Sequence, residues 1–86
     1  MMKVWKPTDK EINQTDSWGT WSKEESEFPW SYDDKETCYI LEGKAEVFSE
    51  NGDSIQFSKG DMVSFEKGLK CTWKISEAIR KRYMFG

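Results

Sequence analysis

The chain has no histidine among its 86 residues and only two cysteines, Cys38 and Cys71. Imidazole is the usual protein ligand of zinc, iron and nickel, so a standard histidine metal site is excluded. A thiolate activated by the common cysteine–histidine route is excluded for the same reason. Two cysteines also do not form the disulfide framework of a small secreted protein. We therefore expect two reduced thiols in a cytoplasmic protein that has no cofactor.

Long hydrophobic runs and an excess of basic charge are missing as well. No apolar stretch approaches the ~18 residues of a membrane-spanning helix, and the N-terminus lacks the apolar segment of a secretory signal. The formal net charge is −3, and the one basic run, Arg80–Arg82, is explained better by a solvated strand face than by a phosphate site. We expect neither nucleic acid nor a membrane as a partner.

Aromatic residues and turn signals are abundant instead. The chain has five Trp, five Phe and three Tyr, and each buried aromatic removes about 150–250 Å² from water. Short β-branched and aromatic runs alternate with turn signals at intervals of roughly eight to ten residues, which is typical of a sandwich or barrel. We predict a single all-β domain over residues 1–86. Its strands are expected at Thr20–Glu27, Phe28–Tyr32, Glu36–Leu41, Ala45–Ser49, Ser54–Phe57, Met62–Phe65, Lys70–Ile75 and Ala78–Phe85.

Three local signals refine this prediction. Thr8 and Glu11 have the spacing of a capping box, which predicts a short helix over Asp9–Gln14. Asn51-Gly52 predicts a type I′ hairpin, because both residues tolerate positive φ. The segment Glu42–Lys44, with glycine at its centre, predicts a further turn between two strands.

The alternation of side chains along the strands predicts which faces are buried. In Glu36–Leu41, the face with Cys38 and the face with Tyr39 both carry apolar groups. A strand of this kind is covered on both sides. One face should line a barrel, and the other needs a cover from the N-terminal segment or from a partner subunit. In the strand Lys70–Ile75, the inward residues are expected to be Cys71, Trp73 and Ile75.

Two segments carry longer motifs. Residues 36–47 read Glu-Thr-Cys-Tyr-Ile-Leu-Glu-Gly-Lys-Ala-Glu-Val, and residues 60–73 begin Gly-Asp-Met-Val-Ser-Phe and end Cys-Thr-Trp. They resemble the first and second cupin motifs, with Glu36 and Gly43 at the spacing of the first, and Gly60 and Gly68 at the glycines of the second. The resemblance is strongest to single-domain cupins of the ureidoglycine-aminohydrolase type. It implies a cupin jelly-roll barrel over residues 21–85.

The sequence departs from that family at the metal ligands. A typical metal cupin holds its ion with three histidines and one glutamate, of which this chain retains only Glu36. Cys71 stands where the second motif has its histidine. If any metal binds, the resemblance implies Glu36 and Cys71 as its ligands. The positions of the first motif's histidine pair are held by Trp30 and Tyr32 or, with the longer spacing, by Pro29 and Ser31.

The candidate ligand-binding residues of the barrel interior form one set: Trp30, Tyr32, Glu36, Cys38, Cys71, Trp73 and Arg82. The aromatic members either form a cage over a small ligand or are simply core. The two cysteines are either a reactive pair or buried thiols. Arg82 either binds an anionic ligand or lies on a solvated face.

Glu36 is the candidate with the most alternatives. A carboxylate on an inward face is costly to bury without a partner. It is therefore a ligand, a general acid or base, or a carboxylate satisfied by water or by a neighbouring side chain. The side chains considered as its partners are Tyr32, Arg80 and Arg82.

Two classes of function follow. The first is a non-enzymatic cupin that binds a small molecule or has a structural role. The alternative is a metal-dependent or acid–base enzyme related to ureidoglycine aminohydrolase, which uses Glu36 and Cys71. Fold resemblance by itself does not assign catalysis, because cupins have many functions.

We also predict a homodimer. The strand with two apolar faces and the five tryptophans indicate more apolar surface than so small a monomer can cover. The resemblance implies the same, since cupins commonly pair sheet to sheet. Size-exclusion chromatography with light scattering should give twice the chain mass. A monomer at micromolar concentration would contradict the prediction.

Overall fold

The computed structural model describes all 86 residues and contains seven strands and one α-helix. Thr8 caps the helix α1, Asp9–Gln14, through the predicted capping box: its hydroxyl accepts from the N–H of Glu11, and its own N–H donates to the Glu11 carboxylate. A 3₁₀ turn, Thr15–Ser17, follows. No helix is long and apolar enough to cross a membrane. The strands are β1 Met2–Trp5, β2 Gly19–Lys23, β3 Ser26–Ser31, β4 Glu36–Ser49, β5 Ser54–Ser58, β6 Met62–Phe65 and β7 Lys70–Phe85.

Two long antiparallel strands, β4 and β7, form the centre of the fold. They pair along their whole length, from Glu36 opposite Phe85 to Ser49 opposite Cys71. The first part of β4 pairs with β6, which in turn pairs with β1, and the second part pairs with β5. The two parts of β7 pair with β3 and β2. The all-β prediction is confirmed, and the shared central strands bring the inward faces around one core.

The predicted turn at Glu42–Lys44 is wrong, because β4 runs through it. The β4–β7 register shifts three times between Ile40 and Ala45, which marks a bulge. Inward residues of β4 before the bulge have even numbers, and those after it, Ala45 and Val47, have odd numbers. An inserted residue changes the phase of alternation in just this way, so the bulge keeps one face of β4 inward along its length.

Gly43 is required at this bulge for two reasons. Its φ is +97°, in the region that L residues rarely adopt. A Cβ there would also lie 2.1 Å from the carbonyl oxygen of Ala78 on β7. The close approach of two backbones therefore excludes any side chain.

The Asn51-Gly52 hairpin exists, but its predicted turn type is wrong. Only Gly52 has positive φ, whereas type I′ needs positive φ at both central residues. The N–H of Gly52 donates to the carbonyl of Ser49, and the N–H of Ser49 donates to the carbonyl of Asp53. These bonds define a three-residue loop in which a β-turn is followed by one left-handed glycine.

Other strand limits differ from the prediction because tertiary pairing decides them. The predicted break between Ile75 and Ala78 is absent, since β7 is held by β4 throughout. The break between β2 and β3 falls at Glu24–Glu25 rather than after Glu27. Pro29 lies within β3, which tolerates it because this strand pairs on one side only, with β7. Strand β1 was not predicted, and pairing with β6 creates it.

The predicted inward faces are confirmed. Cys71, Trp73 and Ile75 of β7 and Cys38 and Ile40 of β4 are all buried. They belong to a core of thirteen buried residues in which the aromatic members contact one another: Phe57, Phe65 and Trp73 have ring centroids 5.4–6.3 Å apart.

The outer face of β4 is covered in part by the N-terminal segment. Tyr39 lies opposite Arg82 on this face. The Arg82 guanidinium donates to Thr15 and Asp16 in the 3₁₀ turn, each at 3.0 Å. Thr15 is fully buried beneath it. Of the two alternatives for this cover, the N-terminal segment supplies at least a part, and the homodimer stays a prediction.

The bulge at Gly43 can be tested against a glycine with the same φ. Gly52 has φ +96° but nothing within 4 Å of an added Cβ. Gly52→Ala should therefore lower the free energy of unfolding by only about 1–2 kcal/mol, the strain of an alanine in the left-handed conformation. Gly43→Ala adds the backbone clash, and we expect a loss of about 4 kcal/mol or more, or failure to fold. Urea unfolding of both variants measures the difference, and equal losses would contradict this account of the bulge.

Candidate ligand pocket

The barrel interior opens into a pocket of about 240 Å³ whose walls are mostly aromatic. Its lining residues come mainly from strands β2, β3, β4 and β7. The segment after β3 adds Tyr32, whose backbone N–H and C=O bond to Leu69 and Gly68. The lining residues are Trp21, Phe28, Trp30, Tyr32, Glu36, Trp73, Lys81, Tyr83 and Phe85.

A buried ion pair forms the floor of the pocket. The Lys81 ammonium lies 3.3 Å from each carboxylate oxygen of Glu36, and the two side chains are only 7% and 5% exposed. Lys81 is thus the partner of Glu36. The partners expected from the sequence bond elsewhere: Arg80 to Glu42, Arg82 to Thr15 and Asp16, and Tyr32 to Trp73.

Lys81 also lies between two tryptophans. Its ammonium is 4.7 Å from the ring centroid of Trp21 and 4.7 Å from that of Trp73. The negative face of an aromatic ring attracts a cation, and this attraction grows where water is excluded. Two rings and one carboxylate together replace the hydration that Lys81 loses on burial.

Glu36 and Lys81 meet along the barrel rather than directly across a strand pair. Lys81 lies opposite Ile40, four residues from Glu36 on β4. At about 3.3 Å per residue this is a separation of roughly 13 Å, which two extended side chains must cover. Cys38 occupies the inward position between them, and its small side chain leaves the space in which they meet.

The aromatic walls are organised around Trp73. Its indole N–H donates to the hydroxyl of Tyr32 at 3.3 Å. Phe28 stacks parallel to it at 6.1 Å, and Trp21 contacts it edge-on at 6.3 Å. Burial, reinforced by the charge of Glu36, raises the pKa of Tyr32 far above its usual value, so its hydroxyl stays protonated.

The cysteines are buried thiols. Burial is the main cause that raises the pKa of Cys38 well above its usual range, and Glu36 adds to it while Lys81 opposes it. Burial and the charge of Glu36 raise the pKa of Cys71 to about 11. The Cys71 S–H points to the carbonyl of Trp30 at 3.6 Å. Both thiols are protonated at neutral pH, which is the unreactive form.

The residues present do not fit a metal site of the cupin type. No group of three or more His, Cys, Asp or Glu side chains comes together in the structure. Both oxygens of Glu36 contact an ammonium group, which supplies the positive charge at that position. Cys71 points to a backbone carbonyl and does not line the pocket.

Four of the predicted interior residues line the pocket together: Trp30, Tyr32, Glu36 and Trp73. Cys38 is buried behind it, and Cys71 borders a separate outer groove beside Trp30. Arg82 is not an interior residue, because its side chain points outward to the 3₁₀ turn. The residues that sequence reasoning missed are Trp21, Phe28, Lys81, Tyr83 and Phe85.

A sequence signal for Lys81 did exist. The buried residues of β7 from Cys71 to Ile75 have odd numbers, and after the exposed Glu77 this pattern resumes at Ile79 and Lys81. The predicted break after Ile75 interrupted this count. The family resemblance indicates Arg82 at this place instead.

The family of the chain follows from its sequence. Residues 11–83 match the family model of the EutQ-like cupin domain. The chain belongs to the EutQ-like cupin family. The jelly-roll barrel is thereby confirmed, whereas the ureidoglycine-aminohydrolase type is a finer assignment that the match does not make. No curated protein matches the sequence.

Solved structures agree with the family. A DUF861 family protein from Thermotoga maritima has 48% identity and a TM-score of 0.96, with all of both chains covered. The EutQ protein of Clostridium difficile has 22% identity and a TM-score of 0.71, over 78% of this cupin and 52% of that chain. A putative ethanolamine utilization protein from Salmonella typhimurium has 20% identity and a TM-score of 0.71, over 98% and 68%. The last two likenesses show the shared fold alone.

The buried ion pair can be tested by removing one charge at a time. Glu36→Gln or Lys81→Met leaves an uncompensated buried charge and should each destabilise the cupin by about 3–5 kcal/mol. The double variant should lose less unfolding free energy than the two single variants together, because neither buried charge then remains.

The matched control is the ion pair Arg80–Glu42, which joins the same two strands but is 52% and 61% exposed. Arg80→Met should cost no more than about 1 kcal/mol. Urea unfolding followed by circular dichroism measures all four variants. Additive losses at Glu36 and Lys81 would show that the two charges are not coupled.

Proposed function

We propose that this cupin binds a small aromatic molecule in the pocket above Glu36 and Lys81. The observation that carries the proposal is a cavity of about 240 Å³ with seven hydrophobic lining residues and one ion pair at its floor. Binding pockets are typically apolar, with a few polar groups that orient the ligand. An apolar cavity of about 150 Å³ is enough for benzene. The pocket therefore has room for one ring with a small substituent.

The alternative, an enzyme that uses Glu36 and Cys71, has less support. The two groups would have to reach the same substrate, and Cys71 does not line the pocket that contains Glu36. The pKa of Cys71, about 11, keeps its thiol protonated at neutral pH. The resemblance to ureidoglycine aminohydrolases rests on motif strings, and we propose no aminohydrolase activity from it. The ethanolamine utilization relative shares the fold alone, so we propose no role in that process either.

The homodimer and the cytoplasmic location remain proposals. Large apolar side chains on the outside support a partner subunit, and Phe48 and Met84 are 41% and 42% exposed. The molar mass from size-exclusion chromatography with light scattering tests the dimer.

Ligand binding can be tested with singly substituted benzenes, including toluene and phenol, followed by NMR of the indole N–H signals. The signals of Trp21, Trp30 and Trp73 should shift on binding, and those of Trp5 and Trp18, outside the pocket, should not. Trp30 is 50% exposed at the mouth. Trp30→Ala should weaken binding about threefold to tenfold, the value of one aromatic contact.

Trp18→Ala is the control and should leave the affinity unchanged. If no probe shifts the three pocket signals, the proposed function is wrong.

A further inference from the structure

We infer that the ligand is uncharged and carries a hydrogen-bond acceptor beside a donor, as in a primary amide or a lactam. This inference rests on the proposed function and adds the chemical class of the ligand. It follows from the charge and the hydrogen-bonding capacity of the pocket floor.

The charge of the floor is balanced before any ligand arrives. Glu36 and Lys81 carry one charge of each sign, both are buried, and they contact each other at 3.3 Å. No other ionisable side chain with a charge at neutral pH lines the pocket. An anionic or cationic ligand would therefore add an unpaired charge inside aromatic walls, which is costly. A neutral ligand avoids this cost.

The floor nevertheless has unused hydrogen-bonding capacity of both kinds. The carboxylate of Glu36 can accept about four hydrogen bonds, and the ammonium of Lys81 can donate three. In the structure Lys81 donates to both oxygens of Glu36, and the weakly hydrogen-bonding thiol of Cys38 lies within reach of both groups. These contacts use only part of that capacity. An acceptor and a donor thus remain available side by side at the base of the pocket.

An amide matches this pair of groups. Its carbonyl oxygen can accept from Lys81 while its N–H donates to Glu36, and the two groups are neighbours in one plane. A carboxylate offers acceptors only, and an amidinium offers donors only. Each of these ions would leave one of the floor groups without a new partner and would bring an extra charge.

Three probes of nearly identical shape separate these cases at neutral pH: benzamide is neutral, benzoate is anionic and benzamidinium is cationic. Dissociation constants come from NMR titration of the wild-type protein, with toluene as the apolar reference. We expect benzamide to bind at least tenfold more tightly than either ion and more tightly than toluene. No variant is needed, so the result does not depend on a substitution that impairs folding.

Two outcomes are distinguishable. If benzoate or benzamidinium binds as tightly as benzamide, the inference about the ligand class is overturned while the pocket remains a binding site. If none of the four probes binds, the proposed function and the inference fail together.

The double variant Glu36→Gln/Lys81→Met tests the source of the preference. Removal of the ammonium donor should reduce the preference for benzamide over toluene at least threefold. Arg80→Met/Glu42→Gln, which removes the exposed pair on the same strands, should leave that preference unchanged. A full preference in the first double variant would overturn the assignment of the floor as the recognition element.

Discussion

The ion pair of Lys81 with Glu36 is the interaction on which the interior of this barrel depends. Either charge alone would be expensive to bury, so each makes the other tolerable. Two tryptophan rings supply the remaining stabilisation of the ammonium. Cys38 lies on β4 between Glu36 and Ile40, the residue opposite Lys81, and its small side chain leaves space for the ion pair. The ion pair therefore lies against Trp73, the residue around which the aromatic walls are organised.

The same pair distinguishes this cupin from a metal cupin. The glutamate of the first motif is retained, and the positive charge opposite it belongs to a side chain of the protein itself. The ammonium group of Lys81 neutralises the carboxylate, so no metal ion held by histidines is needed. This explains how the barrel tolerates an inward Glu36 in a chain that has no histidine. The result is an electrically balanced floor under an apolar cavity, an arrangement suited to recognition of a neutral molecule.

The bulge at Gly43 makes the arrangement geometrically possible. It lets β4 pair with β6 and then with β5 while one face stays inward. The inward residues have even numbers before the bulge and odd numbers after it. On β7 the buried residues have odd numbers on both sides of the bulge. Without the shift, either Glu36 and Cys38 or Ala45 and Val47 would face outward. The glycine is thus a fold requirement that serves the site.

The all-β class, the capped helix Asp9–Gln14 and the inward face around Trp73 were predictable from the sequence, because they depend on local alternation and capping. The sequence also pointed to Glu36, Trp30, Tyr32 and Trp73 as one group through the cupin motifs. Three features were not predictable in this way: β4 and β7 are continuous, Gly43 lies in a bulge and not in a turn, and Lys81 rather than Arg82 is inside. These features depend on pairing between strands distant in sequence, and a break or a bulge of one residue reverses the facing of everything after it.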